Sequence, residues 1–160
     1  MVRIEKLTDY GLVLLTCIAR TPETSLRTAR DLAEESGLPQ PTVSRLLQDL
    51  LRGGLLVSQR GTHGGYRLAR PPREISIASV IVALEGPIRL TVCSSENSGA
   101  CDLEEHCAIK SNQRVINAAV RGVLEQLSLA DLMQPLQLMT IHDTHGKSIP
   151  TIGPASGSIQ

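Results

Sequence analysis

Hydrophobic positions in the first third of the chain recur at helical spacing in three successive windows. Leu7, Gly11, Leu14, Leu15 and Ile18 return every three or four residues, so residues 8–20 read as a helix that ends before Thr21-Pro22. Ser25 is placed to cap a second helix, with Ala29, Leu32 and Ala33 on its inner face and Gly37 at its C-terminal stop. In "LPQPTVSRLLQDLLRGG", Pro41 suits a first helical turn, where a missing N–H costs nothing. Val43, Leu46, Leu47 and Leu50 form its apolar stripe, and Gly53-Gly54 ends it. The pattern then changes: "LLVSQR" and "YRLAR" read as two strands around "GTHGG", a hairpin in which Gly61, Gly64 and Gly65 serve the turn.

Two short helices joined by a Gly-containing turn, followed by a hairpin, are the pattern of a winged helix-turn-helix. The predicted fold is therefore mainly α with a small β wing, and Pro71-Pro72 closes this unit at residues 1–73. Residues 76–85, "SIASVIVALE", read as a further helix capped by Ser76. From about Leu103 to Leu127 the period is helical again, with Ile109, Val115, Ile116, Ala119, Val123, Leu124 and Leu127 on one side. So long a stripe exceeds what a small domain can cover, and pairing with a second copy is its natural burial, which makes this a dimerisation helix. Ser128 can cap a short final helix, "LADLM", which completes a second region at residues 74–133. The tail at 134–160 is poor in charge and rich in Gly, Pro, Ser and Thr, and reads as largely disordered.

Charge sharpens this division. The net charge is zero, but residues 20–73 carry nine arginines against five acids, whereas residues 74–160 carry five basic residues against nine acids. The first region is the candidate surface for a polyanion, against the alternative of ordinary solvated arginines. Gln40, Thr42, Ser44 and Arg45 open the candidate recognition helix, and Arg60 and His63 flank the wing turn, with Arg67 and Arg70 behind them. Arg45 is the residue able to reach guanine O6 and N7, with a phosphate contact as the alternative. The partner implied is double-stranded DNA. The chain has two tyrosines and no Trp or Phe, which speaks against reading single strands by base stacking. No membrane span or secretory signal is legible, so the expected location is the cytoplasm and the expected state of the thiols is reduced, unless they hold a metal or sense oxidants.

Three of the four cysteines fall within the fifteen positions "CSSENSGACDLEEHC", residues 93–107. Thiolates are soft ligands for zinc and iron–sulfur clusters, and a four-coordinate site needs one donor beyond three, for which His106, Glu104 and Glu105 are the local candidates. A structural zinc site lacks here its usual C-x2-C pairs, and a disulfide switch needs exposure and a lowered thiol pKa. An enzyme with a cysteine nucleophile would need a base and an orienting third group; His106 is near, but no oxyanion element is legible, and the chain reads as a non-enzyme. A cofactor-free DNA-binding dimer is the remaining alternative. Cys17, inside the first apolar stripe, reads as a small core residue, and His142 and His145 as parts of a solvated linker.

The stretches "LTDYGLVLL", "DLAEESGLPQPTVSRLLQDLLRGGLLVSQRGTHGGYRLAR" and "ISIASVIVALEG", followed by three cysteines, resemble the Rrf-type family of bacterial winged-helix regulators, over residues 1 to about 133. That family includes the iron–sulfur regulator IscR, the nitric oxide sensor NsrR and the iron regulator RirA, and the chain looks closest to the branch that regulates SUF-type iron–sulfur assembly genes. The resemblance implies a homodimer on a palindromic operator. It also implies a [2Fe-2S] or [4Fe-4S] cluster held by Cys93, Cys101 and Cys107, with repressor activity. Three departures stand out. The intervals between cysteines are seven and five residues here, where the family has five and five. Lys110 stands where IscR has its histidine ligand, and Ser44 where IscR has a glutamate. An NsrR-like arrangement would instead take an aspartate from the partner's first helix, about where Asp9 stands.

Overall fold

A computed structural model describes residues 5–22, 24–90, 107–142 and 148–154. The first helix, α1, spans Lys6–Ala19, two residues earlier at its start than periodicity alone indicates. Its apolar face puts Leu14, Leu15, Cys17 and Ile18 into the core. The second, α2, spans Ala29–Ser36 and is capped by Thr28, a correction to the reading of Ser25 as the cap. Asp31 explains the choice. The Asp31 N–H donates to Thr28 Oγ1 and the Thr28 N–H to Asp31 Oδ2, each at 3.1 Å, a reciprocal box that Ser25 has no acid in position to complete. At the other end Gly37 takes the left-handed conformation, φ 69°, and its N–H donates to the Ala33 carbonyl.

Helix α3, Gln40–Arg52, turns Val43, Leu46, Leu47 and Leu50 inward, each no more than 1% exposed. Burying four such side chains contributes roughly 1.5–3 kcal/mol apiece, and this face packs against α1, α2 and the next helix. Strands β1, Leu56–Gln59, and β2, Gly65–Leu68, pair antiparallel with Leu56 opposite Leu68 and Gln59 opposite Gly65. Arg27, just before α2, adds one rung from a third stretch of backbone. Its N–H donates to the Tyr66 carbonyl at 2.9 Å and the Tyr66 N–H returns the bond at 2.8 Å. The approach is so close that a Cβ on Gly65 would lie 2.7 Å from the Arg27 carbonyl oxygen.

A 3-10 turn at Pro72–Glu74 leads to α4, Ile77–Glu85, capped by the Ser76 hydroxyl as expected. Helix α5 is described over Lys110–Gln126, so the expected start near Leu103 lies outside the described residues. It packs on α4 but leaves Ile109, Val115, Ile116 and Val123 between 47 and 69% exposed. The one-turn helix α6, Leu129–Leu132, carries the second capping box, Ser128 with Asp131. It is tied back to the winged helix by Ile77 N–H to Leu127 O and Leu129 N–H to Ile75 O, both 2.8 Å.

The tail departs from the expectation of disorder. Strands β3, Leu136–His142, and β4, Ser148–Pro154, pair antiparallel with Leu138 opposite Ile152 and Ile141 opposite Ile149. Composition pointed to disorder because charge is scarce and Gly and Pro are frequent, but Thr140, Ile141, Ile149, Thr151 and Ile152 are β-branched residues that favour an extended backbone. His142 thus ends a strand; His145 lies outside the described residues.

Two outcomes follow from these contacts. Gly65→Ala is expected to lower stability by about 1–3 kcal/mol, because the added methyl meets backbone that has no room to yield; urea denaturation of the variant against wild type measures this. Hydrogen bonds from the Ser128 hydroxyl and N–H hold the Asp131 carboxyl below its usual range. A depressed carboxyl stabilises the fold above its unfolded pKa and loses that contribution as pH falls through the folded value. Asp131→Asn is therefore expected to flatten the acid limb of the melting-temperature profile below about pH 4, with little change in slope above it.

Candidate nucleic-acid interface and cysteine segment

The outward face of α3 is polar because its inward face is fully consumed by the core. Gln40 and Arg45 are exposed, and Thr42 and Ser44 are half-buried at the helix flank. No side chain caps the first turn, which follows Pro39 and holds Pro41, so the N–H groups there that the helix leaves unpaired receive no capping bond. Free amides at the positive end of a helix suit a phosphate. The Arg45 side chain is 70% exposed, and its Nε lies 3.9 Å from Asp49, whose carboxylate also accepts from Arg52. An exposed contact of that length holds the guanidinium weakly.

In the wing, Arg60 and His63 are exposed around the turn and Arg67 is exposed on β2. Arg27 and Arg30 are paired with Glu35 and Glu34. Arg60, Arg67 and Arg70 by contrast pair with no acid among the described residues. The wing is also held from outside, by the two backbone hydrogen bonds between Arg27 and Tyr66. The structure thus groups the six predicted DNA-facing positions on two elements, α3 and the wing turn, joined through α2.

Of the predicted cluster ligands, Cys107 is described, half-buried and free, three residues ahead of α5. Cys93 and Cys101 lie outside the described residues, as do Glu104, Glu105 and His106. Asp9 is exposed in the first turn of α1. Among the described residues no three His, Cys, Asp or Glu side chains stand close enough together to hold a metal ion. Cys17 is the opposite of Cys107: it is 6% exposed, and burial, reinforced by Glu35, pushes its thiol pKa up.

What sequence reasoning missed is how the segment is fastened. Glu85, the last residue of α4, accepts from the Glu5 N–H at 2.9 Å and from the buried Thr8 hydroxyl, joining the end of α4 to the start of α1. Beyond Gly86 the chain meets α5, where Asn117 Oδ1 accepts from the Leu90 N–H at 3.0 Å and Asn117 Nδ2 donates to the Ile88 carbonyl at 3.4 Å. These contacts span 27 and 29 residues, and no local motif announces them.

The profile of the Rrf2 family, described as iron-dependent transcriptional regulators, matches residues 4–135. The chain belongs to the Rrf2 family. Its match to the HTH-type transcriptional regulator NsrR of Shouchella clausii is 31% identical over 126 residues, 79% of this chain and 85% of that protein. Among solved structures it is similar to CymR, the global cysteine regulator of Bacillus subtilis, with a TM-score of 0.64 at 28% identity, covering 83% of this chain and 97% of that one. It is also similar to T. potens IscR, with a TM-score of 0.61 at 27% identity, covering 82% and 86%. These Rrf2 relatives are regulators of transcription and not enzymes, and the winged helix agrees with them. Among the described residues no helix is long and apolar enough to cross a membrane.

The contrast between the two described thiols is directly measurable. Under native conditions with a small alkylating reagent near pH 7.5, Cys107 is expected to be modified while Cys17 resists until denaturant is added, because reaction requires an accessible thiolate. Mass spectrometry of timed digests reads both sites, and rapid labelling of Cys17 in the folded chain would contradict its place in the core.

Proposed function

We propose that this Rrf2 protein is an iron–sulfur-responsive repressor of SUF-type iron–sulfur assembly genes, acting in the cytoplasm as a homodimer on a palindromic operator. The observation that carries the reading is that a candidate ligand and the candidate dimer surface share one helix. Cys107 leads into α5, whose N-cap residue Ile109 is exposed together with Val115, Ile116 and Val123 of the helix. An apolar stripe of this kind is covered most economically by a second copy, which places two recognition helices about a two-fold axis.

The donor chemistry fits an iron–sulfur cluster. Cys93, Cys101 and Cys107 supply soft thiolates, Cys107 is in no disulfide, and the missing ligand falls to Asp9 of the partner or to His106, Glu104 or Glu105. When bound, such a cluster supplies an iron–sulfur core sensitive to iron supply, oxidants and nitric oxide. The chain does the rest. Gln40, Thr42, Ser44 and Arg45 meet base edges and phosphates in the major groove, and Arg60 and His63 extend along the backbone or into the minor groove. A second reading, a thiol switch or a cofactor-free dimer, is favoured by the likeness to CymR, a cysteine regulator, and by the half-buried free Cys107.

Anaerobic purification tests the reading at once. Brown protein with visible absorption, lost in each of Cys93→Ser, Cys101→Ser and Cys107→Ser, is the expected result; a colourless preparation that contains zinc or no metal sinks the cluster. In mobility-shift titrations Arg45→Ala is expected to cost about 1–3 kcal/mol of discrimination at one base pair. Arg60→Ala is expected to weaken all sequences alike and reduce the slope of log affinity against log salt by roughly 1. Absence of any sequence preference in both metal-loaded and metal-free protein would refute the regulatory reading itself.

A further inference from the structure

Glu34 and Glu35 stand in the last turn of α2, where the unpaired carbonyls of a helix disfavour negative charge. Each is answered by an arginine, and the two pairs differ. Arg30 and Glu34 lie one turn apart with side chains 79 and 68% exposed, an ordinary solvated pair. Arg27 and Glu35 are 19 and 37% exposed, and here the arginine reaches in from outside the helix. It stands just before the Thr28 cap, and its Nη2 donates to Oε2 of the penultimate residue of α2. The Arg27 backbone meanwhile belongs to the wing ladder, with its N–H on the Tyr66 carbonyl at 2.9 Å and its carbonyl accepting from the Tyr66 N–H at 2.8 Å. The same Glu35 helps to push up the thiol pKa of buried Cys17 in α1. One carboxylate therefore stands where α1, α2 and the residue that carries β2 come together.

We propose that Glu35 is a positioning residue for the wing: by holding the Arg27 guanidinium it fixes the backbone on which β2 is registered, and with it Arg60, His63 and Arg67 relative to α3. This rests on the reading above that the wing meets DNA. The Thr28–Asp31 box anchors the chain just after Arg27, and Glu35 anchors the Arg27 side chain eight residues on, so one residue has two attachments to one helix. A shift of Arg27 passes to β2 with little slack. A Cβ on Gly65 would meet the Arg27 carbonyl oxygen at 2.7 Å and its amide nitrogen at 3.1 Å, so the strand lies directly on this backbone. Helix α2 also packs on α3, which refers the wing and the recognition helix to the same element. A carboxylate suits the post because it takes a guanidinium in charge-assisted hydrogen bonds. Glutamine keeps one acceptor oxygen at the same reach without the charge, and leucine keeps only the bulk.

The sign of the effect separates positioning from charge. Removing an acid beside a polyanion-binding surface by itself tightens binding, so weaker binding by Glu35→Leu marks a displaced wing. Full-length wild type, Glu35→Leu, Glu35→Gln and Glu34→Leu are titrated with a labelled DNA duplex of random sequence, and hydrogen exchange is followed at the Arg27 and Tyr66 amides. Thermal melts establish that each variant folds. Glu35→Leu is expected to bind on the order of threefold more weakly, and to exchange faster at both amides by a similar factor, the scale of a partly exposed ion pair. Glu35→Gln is expected to fall between. Glu34→Leu makes the same charge change on a pair that reaches no wing backbone, and is expected to bind at least as tightly as wild type. Arg60→Ala is the control for the wing itself. If Arg60→Ala weakens binding while a folded Glu35→Leu binds as wild type does, the assignment is overturned and the wing reading stands, whatever the exchange rates. If neither Arg60→Ala nor Arg67→Ala changes affinity, the wing reading and the assignment fall together. If Glu35→Leu fails to fold, Glu35→Gln decides by the same criteria.

Discussion

The constraint on which this molecule depends is that α3 has one face it must bury and another it must keep wet. Val43, Leu46, Leu47 and Leu50 are sealed against α1, α2 and α4, which fixes the rotation of α3 about its own axis. Once that rotation is set, Gln40, Thr42, Ser44 and Arg45 have no choice but the flank and the outside. Sequence readout by the first turns of a helix requires this, because a helix free to roll would present different side chains to the groove. The hydrophobic effect is non-directional, but spread over four positions at helical spacing it becomes an orienting force. The Arg27 rung does the corresponding work for the wing, since a two-stranded hairpin alone is marginal in water and a third backbone partner restrains it.

A continuous run of short contacts leads from this unit to α5. The carboxylate of Glu85 closes the end of α4 onto the start of α1, where Thr8 is fully buried and Asp9 stands exposed one residue on. The chain then turns at Gly86 and is seized by Asn117. Independently, Ser76 and Ser128 bridge the start of α4 to the end of α5. Helix α4 is thus held at both ends, by α1 at one and by the α5–α6 junction at the other. These bonds join α5 to the winged helix through both ends of α4.

Much of this was legible in the sequence because it is written in local periods. The stripes of α1 and α3, the Gly-rich wing turn, the Ser76 and Ser128 caps and the Gly37 stop each depend on residues within a few positions of one another. Thr28 was legible as well, since Asp31 three residues on completes a box that Ser25 lacks; attention to the hydroxyl without its acidic partner picked the wrong cap. The strands of the tail were not legible for a different reason: composition averages over the β-branched runs that make β3 and β4. Asn117, Glu85 and the Arg27 rung were not legible at all. Each acts over a separation of 27 to 80 residues, where nothing in the local pattern marks one amide or carboxylate from another. The family resemblance reached the winged helix and the cysteines but not these ties, which belong to the packing of this particular chain.

The odd number of thiols in the segment has a mechanical reading once its ends are known. With Asn117 holding one end and Cys107 at the other, the segment already has two fixed points on α5, and ligands drawn to a common centre would supply a third. Any group that binds only the drawn-in arrangement stabilises it by its own binding free energy, and the arrangement in turn favours the group to the same extent. Ile109, two residues beyond Cys107, is the exposed apolar residue at the N-cap of α5.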